Sequence, residues 1–482
     1  MRSFANKTWM VLSAVLGGML LLSFDAQAMP SFARQTGMNC NSCHIGTDNV
    51  PNFTRTGRIF AMRGYTRPVV RERLRHDGDT VEDQPQYGGD YLALNWNDFF
   101  SARLISNIAE GGKANNAAGT KNDTISRPLS RMAFFYTGPI TDWLGLWTEI
   151  GYLGNNQLST VSTTNGATPG TSGLNLYAYD EFRLSTGYDI SPGTFVGMSY
   201  GNELPNVVSQ WVFPAGLPDM WSNGQGGTGR FKEIGALSFH GLFDDRYWAQ
   251  IGFVTGDANT SWSNGWNVYT TFAYNMFRTT RNDLWFALET YAGNDSTGQM
   301  TSVKNSFICP TTCPAGVVDT TMSFTNQIGG TNGIIVGAPV EAVKDFRSYK
   351  LRVEHSVADR GDHSWIASAV LHGKTENYKS GGKVERQVFG IYGRYFFKRT
   401  YGFYGTWWKD MSYDYTTPAG VTRGTYNKPQ WSLNGLWNPA MNFSVHLTYS
   451  PTQNRVFNDT AVARAGYLNN GNSWSLGAEY NF

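Results

Sequence analysis

From about Tyr91 to the C-terminus, apolar and polar residues alternate with a period of two, the signature of β-strands with one apolar face. The last stretch shows it best. Trp474, Leu476, Ala478, Tyr480 and Phe482 share one face, and Ser475, Gly477, Glu479 and Asn481 share the other. Phe443, Val445, Leu447 and Tyr449 alternate in the same way with Ser444, His446, Thr448 and Ser450. Sixteen candidate strands follow, starting near Phe99, Arg127, Trp143, Leu174, Gly193, Lys232, Tyr247, Trp266, Asp283, Phe346, His363, Arg386, Thr400, Gln430, Asn442 and Trp474.

The connections alternate strictly in kind. Short turns at Gly138-Pro139, Ser191-Pro192-Gly193, Asp244-Asp245, Thr279-Thr280, Asp359-Arg360-Gly361, Lys398-Arg399 and Asn438-Pro439 take turns with longer polar loops. A soluble sandwich also alternates along its strands, with the apolar face as its core. It has no reason to alternate its loop lengths, whereas a transmembrane barrel of even strand number does.

Composition points the same way. Aromatics make up 15 % of the chain and glycine 54 of 482 residues, yet mean hydropathy is only −0.36. After the N-terminus no run of 18 apolar residues occurs, which excludes membrane-spanning helices. The expectation for residues 91–482 is therefore an all-β transmembrane barrel of about sixteen antiparallel strands. An even count sends both barrel ends to the periplasm. Sixteen strands enclose a lumen wide enough for water, and a small domain tethered at the periplasmic mouth could enter it. Lys350, Arg352 and Glu354, alternating with Tyr349, Leu351 and Val353, read as its wet wall.

Upstream the pattern breaks. Arg2 and Lys7, the apolar run Trp9 to Leu22 and Ala26-Gln27-Ala28 form a secretory signal peptide over residues 1–28. Residues 29–90 form a small, mostly helical or loop segment, with a short helix across Gly57 to Gly64 closed by glycines and a charged linker over Arg71 to Asp83. At roughly sixty residues it is marginal as a fold on its own.

That segment contains Cys40-Asn-Ser-Cys43-His44, the C-x-x-C-H pattern of covalent haem attachment. Two thiols form thioethers to the haem vinyls, and the adjacent imidazole is held where it ligates iron. A thioredoxin-like motif would need a βαβ setting, which is absent. A structural zinc site would need a second ligand pair nearby. The only other cysteines, Cys309 and Cys313, lie far downstream and read as a small loop disulfide, with two thiols as the alternative. The implied cofactor is one covalent haem c, with His44 as proximal ligand.

The distal ligand stays open among Met29, Met38, Met62 and His76. Met62 follows His44 by 18 residues and could return over the ring; a Met/His pair raises the reduction potential. Ordinary packing is the other reading of Met62. Arg34 and Gln35 are placed to hydrogen-bond a haem propionate, an exposed arginine being the alternative. The apolar stretch from Asn202 to Phe231 is expected either to fold into the lumen or to serve as an outer cap or oligomer contact. A net charge of +2 argues against nucleic acid as a partner.

Pro30-x-Phe32-Ala33-Arg34-Gln35-Thr36-Gly37 just before the C-x-x-C-H, followed by Pro51-Asn52-Phe53, Gly57-Arg58-x-Phe60 and Gly64-Tyr65, resembles the bacterial outer-membrane fused cytochrome–porins, the single-haem iron oxidases. The barrel half is similar in pattern rather than in residues. The resemblance implies an outer-membrane cytochrome that takes electrons from extracellular Fe(II) and passes them through one haem to a periplasmic cytochrome c or copper protein. The competing expectation is a solute porin whose N-terminal segment is a plug or gate.

Overall fold

The computed structural model of the chain describes residues 31–32, 40–45, 53–66 and most of 100–481, with gaps in that span at 114–120, 123–126, 142, 154–180, 202–235, 256–265, 278–281, 295–300, 304–305, 310–333, 338–339, 361, 380, 417–419, 421, 427–428, 441–442, 453–455 and 458–470.

Sixteen long strands run in chain order. They are β1 (Phe100–Lys113), β2 (Arg127–Pro139), β3 (Leu144–Leu153), β4 (Glu181–Ser191), β5 (Thr194–Gly201), β6 (Ala236–Phe243), β7 (Tyr247–Thr255) and β8 (Trp266–Asn275). The rest are β9 (Asn282–Asn294), β10 (Val340–Arg360), β11 (His363–Tyr378), β12 (Lys383–Phe397), β13 (Tyr401–Thr416), β14 (Gln430–Ala440), β15 (Phe443–Thr452) and β16 (Gly471–Asn481). Each pairs antiparallel with the next. The ring then closes: β1 pairs with β16 from Arg103↔Asn481 to Lys113↔Asn472. The Arg103 guanidinium meets Glu479 across that seam at 3.2 Å. The molecule is a closed antiparallel barrel of sixteen strands.

The barrel is inside-out relative to a soluble fold. Along β10, Tyr349, Leu351 and Val353 are 36, 47 and 38 % exposed, while Lys350, Arg352 and Glu354 are 8, 5 and 0 % exposed. The same exposed apolar residues recur around the wall, among them Met198, Phe239, Ile251, Phe286, Ile391, Phe403 and Leu447. In water such a surface would be a large apolar patch. In a bilayer it is the lipid-facing band of a transmembrane barrel. No helix among the described residues is long and apolar enough to cross a membrane.

Turn chemistry fixes the short-turn end. Pro192-Gly193 joins β4 to β5, with Gly193 at φ 75, the Pro-then-Gly order of a type II turn. Asp244 and Asp245 between β6 and β7, and Lys398 and Arg399 between β12 and β13, all take positive φ, which hairpin loops matching the strand twist require.

Three sequence expectations need correction. The tenth strand starts at Val340, six residues before Phe346, while the starts expected near Leu174 and Lys232 lie outside the described residues. Loop lengths do not alternate strictly: β11 and β12 are joined on the long-loop side by residues 379–382 alone. There Gly381 at φ 92 and the Tyr378 N–H to Gly382 carbonyl bond of 2.8 Å close the hairpin tightly. The lumen wall is also not wet at Lys350, Arg352 and Glu354. These side chains are buried, and two of them are ion-paired.

Candidate functional site

The described N-terminal residues lie inside the barrel, at its short-turn end. Two short helices organise them: α1 (Cys40–Cys43) and α2 (Arg55–Met62). Thr54 joins the two. Its hydroxyl accepts from the Gly57 N–H at 3.2 Å, capping α2, and donates to the Ser42 carbonyl at 2.6 Å. Its own N–H bonds the Cys43 carbonyl at 2.9 Å, and a bridge pairs His44 with Phe53. At Gly57 a Cβ would stand 2.1 Å from the Cys43 carbonyl oxygen. Only glycine lets α2 approach α1 this closely. The glycine therefore sits in the first turn of the helix, not at its end.

Arg58 points at the barrel wall. Its Nε meets Asp283 Oδ2 at 3.1 Å and its Nη2 meets Glu354 Oε1 at 2.5 Å, all three side chains being buried. Asp283 also accepts from Asn275 Nδ2 at 2.6 Å and from the Trp285 indole at 2.8 Å. Desolvation lowers the Arg58 pKa, but attraction to Glu354 and Asp283 outweighs it and leaves the pKa above that of a free guanidinium. Two further arginines flank it at the rim. Arg55 pairs with Asp245 at 3.2 Å and Arg63 with Asp189 at 2.6 Å. Every cation is on the inserted segment and every anion is on the wall. The central pair is buried and the rim pairs are partly exposed, so the central one dominates.

Apolar and steric fit complete the berth. Met62 is wholly buried against Phe195, Leu242, Trp248, Ala273, Trp285 and Ala287 of β5 to β9. Phe60 and Tyr65 cluster with Phe32 and with Trp147 of β3; the Tyr65 and Trp147 rings stack at 5.2 Å, and the Arg183 guanidinium lies 4.8 Å over Tyr65. Gly64, at φ 68, faces Ser185 so closely that a Cβ would lie 2.1 Å from the serine Cβ. At Gly145 of β3 a Cβ would lie 1.9 Å from the Gly64 carbonyl oxygen. Ser31 reaches Thr137 of β2 at 2.9 Å, and Ile45 packs on Phe396 and Leu436 across the lumen. The described parts of the segment fit the wall closely.

The haem motif can be tested against this geometry. Cys43 stands outside any disulfide and ends α1, with His44 next in chain. The His44 Nδ1 is buried without a hydrogen-bond partner, and its ring lies 5.3 Å from Phe53. Burial pushes the imidazole pKa down to about 4, which keeps it neutral, the form that ligates a metal. A thiol outside any disulfide followed by a neutral imidazole with an orphaned nitrogen fits covalent haem. Among the described residues no group of three or more His, Cys, Asp or Glu side chains is arranged to hold a metal ion by itself.

Met62 packs in the wall cluster, which is the ordinary-packing reading of it. It lies five residues after Gly57, about 140° around the helix from the side that touches α1. Arg34, Gln35, Met29, Met38, His76, the signal peptide, the 71–83 linker, the apolar stretch 202–231 and Cys313 fall outside the described residues, as do the side chains of Cys40 and Cys309. Sequence reading placed Glu354 on the lumen wall without a partner, and gave no role in the site to Asp189, Asp245, Asp283, Gly145 or Ser185. The available signal was the phase of the carboxylates: Asp283 and Glu354 fall on the polar, inward-facing positions of their strands.

No protein-family model and no curated protein matches the chain. Among solved structures it is similar to the anion-selective porin from Comamonas acidovorans, with TM-score 0.44, 11% identity, 80% of this chain and 99% of that one covered. The outer-membrane channel DcaP of Acinetobacter baumannii gives TM-score 0.41 and 13% identity, covering 80% of this chain and 95% of that one. OmpT of Vibrio cholerae, expressed in the outer membrane, gives 0.41 and 11%, covering 80% and 97%. These likenesses are too distant to carry argument. The barrel assignment rests on the strand register of this chain.

Proposed function

We propose that the protein is a bacterial outer-membrane electron conduit whose N-terminal segment carries one covalent haem c inside the barrel. Cys40 and Cys43 would hold the porphyrin and His44 would ligate the iron. The haem would supply one-electron chemistry, accepting from Fe(II) outside and donating to a periplasmic cytochrome c or copper protein. The observation that carries the reading is the place of the C-x-x-C-H motif: α1 is locked through Thr54 to a helix wedged into the lumen wall.

Position matters because the hydrocarbon layer is about 30 Å thick, too far for a single electron step from a group left wholly in the periplasm. A group seated within the barrel shortens the gap. The residues of this chain then have distinct tasks. Arg58, Asp283 and Glu354 hold the segment in register. Phe60, Tyr65 and Trp147 exclude water beside it. With Met62 buried among the wall residues, the reading does not depend on it as distal ligand. Anaerobic titration of the purified protein with Fe(II), followed by haem absorbance, is the test. Stoichiometric reduction is expected, and a preparation without covalent haem would remove the reading.

The second reading is a solute porin with the same segment as its plug. The buried Arg58 contacts favour it, since they seat the segment whether or not a haem is bound. Under that reading removal of residues 29–66 opens a conducting pore and Fe(II) leaves the protein unreduced.

A further inference from the structure

The lipid-facing side of β4 to β8 carries a trough close to the short-turn end, with a volume of about 810 Å³, within the roughly 300–1,000 Å³ of small-molecule sites. Register explains its shape. Across the outer face Tyr188 pairs with Val196, Val196 with Gly241, Gly241 with Ala249, and Ala249 with Phe272. The three middle residues are small and make a floor. The two outer ones stand up as ends, Tyr188 at 71 % and Phe272 at 55 % exposure. The next outward row toward the long loops is large again, with Met198, Phe239 and Ile251. Trp143 and Phe243 close the side near the turns. At Gly241 a Cβ would press to 2.9 Å from the Phe243 ring, so the glycine keeps the floor low while that ring leans over it.

We propose that this trough holds one acyl chain of a phospholipid from the periplasmic leaflet. The trough is continuous with the exposed apolar band, so hydrocarbon already surrounds it. Apolarity alone retains nothing in a bilayer, because lipid tails are as apolar as the wall. Retention comes from shape. A chain lying in the trough touches the floor and both flanks, and each added carbon contact contributes about 0.1–0.2 kcal/mol. The Tyr188 hydroxyl and the Trp143 indole stand at the short-turn rim, the depth at which such side chains meet headgroups. The short turns face the periplasm in barrels of this type, which selects the phospholipid leaflet.

Native mass spectrometry of the full-length protein, extracted from outer membranes in mild detergent, tests this. One phospholipid per chain is expected to survive delipidation. Ala249→Phe, which fills the floor, should lower the retained fraction about tenfold, the loss of roughly ten carbon contacts. Leu447→Phe, on the outer face away from the trough, should leave it unchanged. Should Ala249→Phe misfold, Val196→Phe probes the same floor from the neighbouring strand. A broad, non-stoichiometric lipid distribution insensitive to these changes overturns the proposal. So does a mass of two chains that falls to one in Ala249→Phe, which would make the occupant a second copy. None of these readouts depends on haem, so the conduit reading and this one fail separately.

Discussion

Replacing Arg58 by methionine removes the charge while keeping an apolar stem of similar length, and the consequence can be worked from the contacts. Two buried carboxylates lose their cation. Asp283 keeps donors from Asn275 and Trp285, but the second oxygen of Glu354 already has no partner. Breaking a buried pair by removing one member costs about 3–5 kcal/mol. Because Asp283 stays partly satisfied, the lower end applies. At about 1.4 kcal/mol per factor of ten, the docked state of the plug weakens by roughly two orders of magnitude. Amide exchange across residues 54–66 of the full-length protein should therefore accelerate about a hundredfold. Strand circular dichroism should show the barrel intact, and single-channel recordings should show more frequent open events. Arg58→Met with Glu354→Gln should recover part of the protection, since the residual charge is then gone. Exchange and conductance unchanged from the parent protein would refute the claim that this arginine seats the segment.

Three other outcomes follow from the same berth. Gly64→Ala places a Cβ against Ser185 and in a left-handed backbone; overpacking of this kind costs about 1–3 kcal/mol, so exchange in the α2 segment should again rise while Gly151→Ala, where the position is open, changes nothing. Met62→Ala empties a pocket lined by five wall strands and should destabilise docking by about 2–5 kcal/mol, measured by the same exchange experiment. The sign of the Arg58 pKa shift fixes a pH behaviour. Its folded pKa is raised, so its contribution is complete below the pKa of the unfolded guanidinium and is lost only as pH climbs through a still higher value. Arg58 therefore stays protonated between pH 7 and 10, and its contribution to plug protection is unchanged across that range once intrinsic exchange rates are corrected.

The barrel was largely legible because its information is local. A period of two assigns each residue of β15 or β16 to the lumen or to lipid without any knowledge of its neighbours, and turn residues such as Pro192-Gly193 mark where the chain reverses. Strand starts were less legible where a strand runs on past its clear alternation, as at Val340, six residues before the expected start. The tight turn at 379–382 was hidden because nothing in the alternation reveals how far a hairpin projects. The plug was legible only as a possibility. Its motif is contiguous, from Cys40 to His44, but its fit depends on Arg58 meeting partners 225 and 296 residues away. No periodicity pairs such positions. Met62 illustrates the same limit: spacing allowed it two roles, and only the direction of its side chain distinguishes the wall from the haem motif.

The seam where β1 meets β16 has a consequence for biogenesis. The first and last strands of the wall are neighbours, so the cylinder cannot shut until the C-terminal residues have been exported and folded. The acidic seats for α2 lie on β6–β7, β9 and β10 and do not exist together before the chain has been exported past Glu354. The N-terminal segment, first to emerge, must wait outside while its housing is built around the position it will fill. Any covalent modification of Cys40 and Cys43 has that interval in which to occur, and a chain truncated before β16 should accumulate with its front end accessible and its wall incomplete.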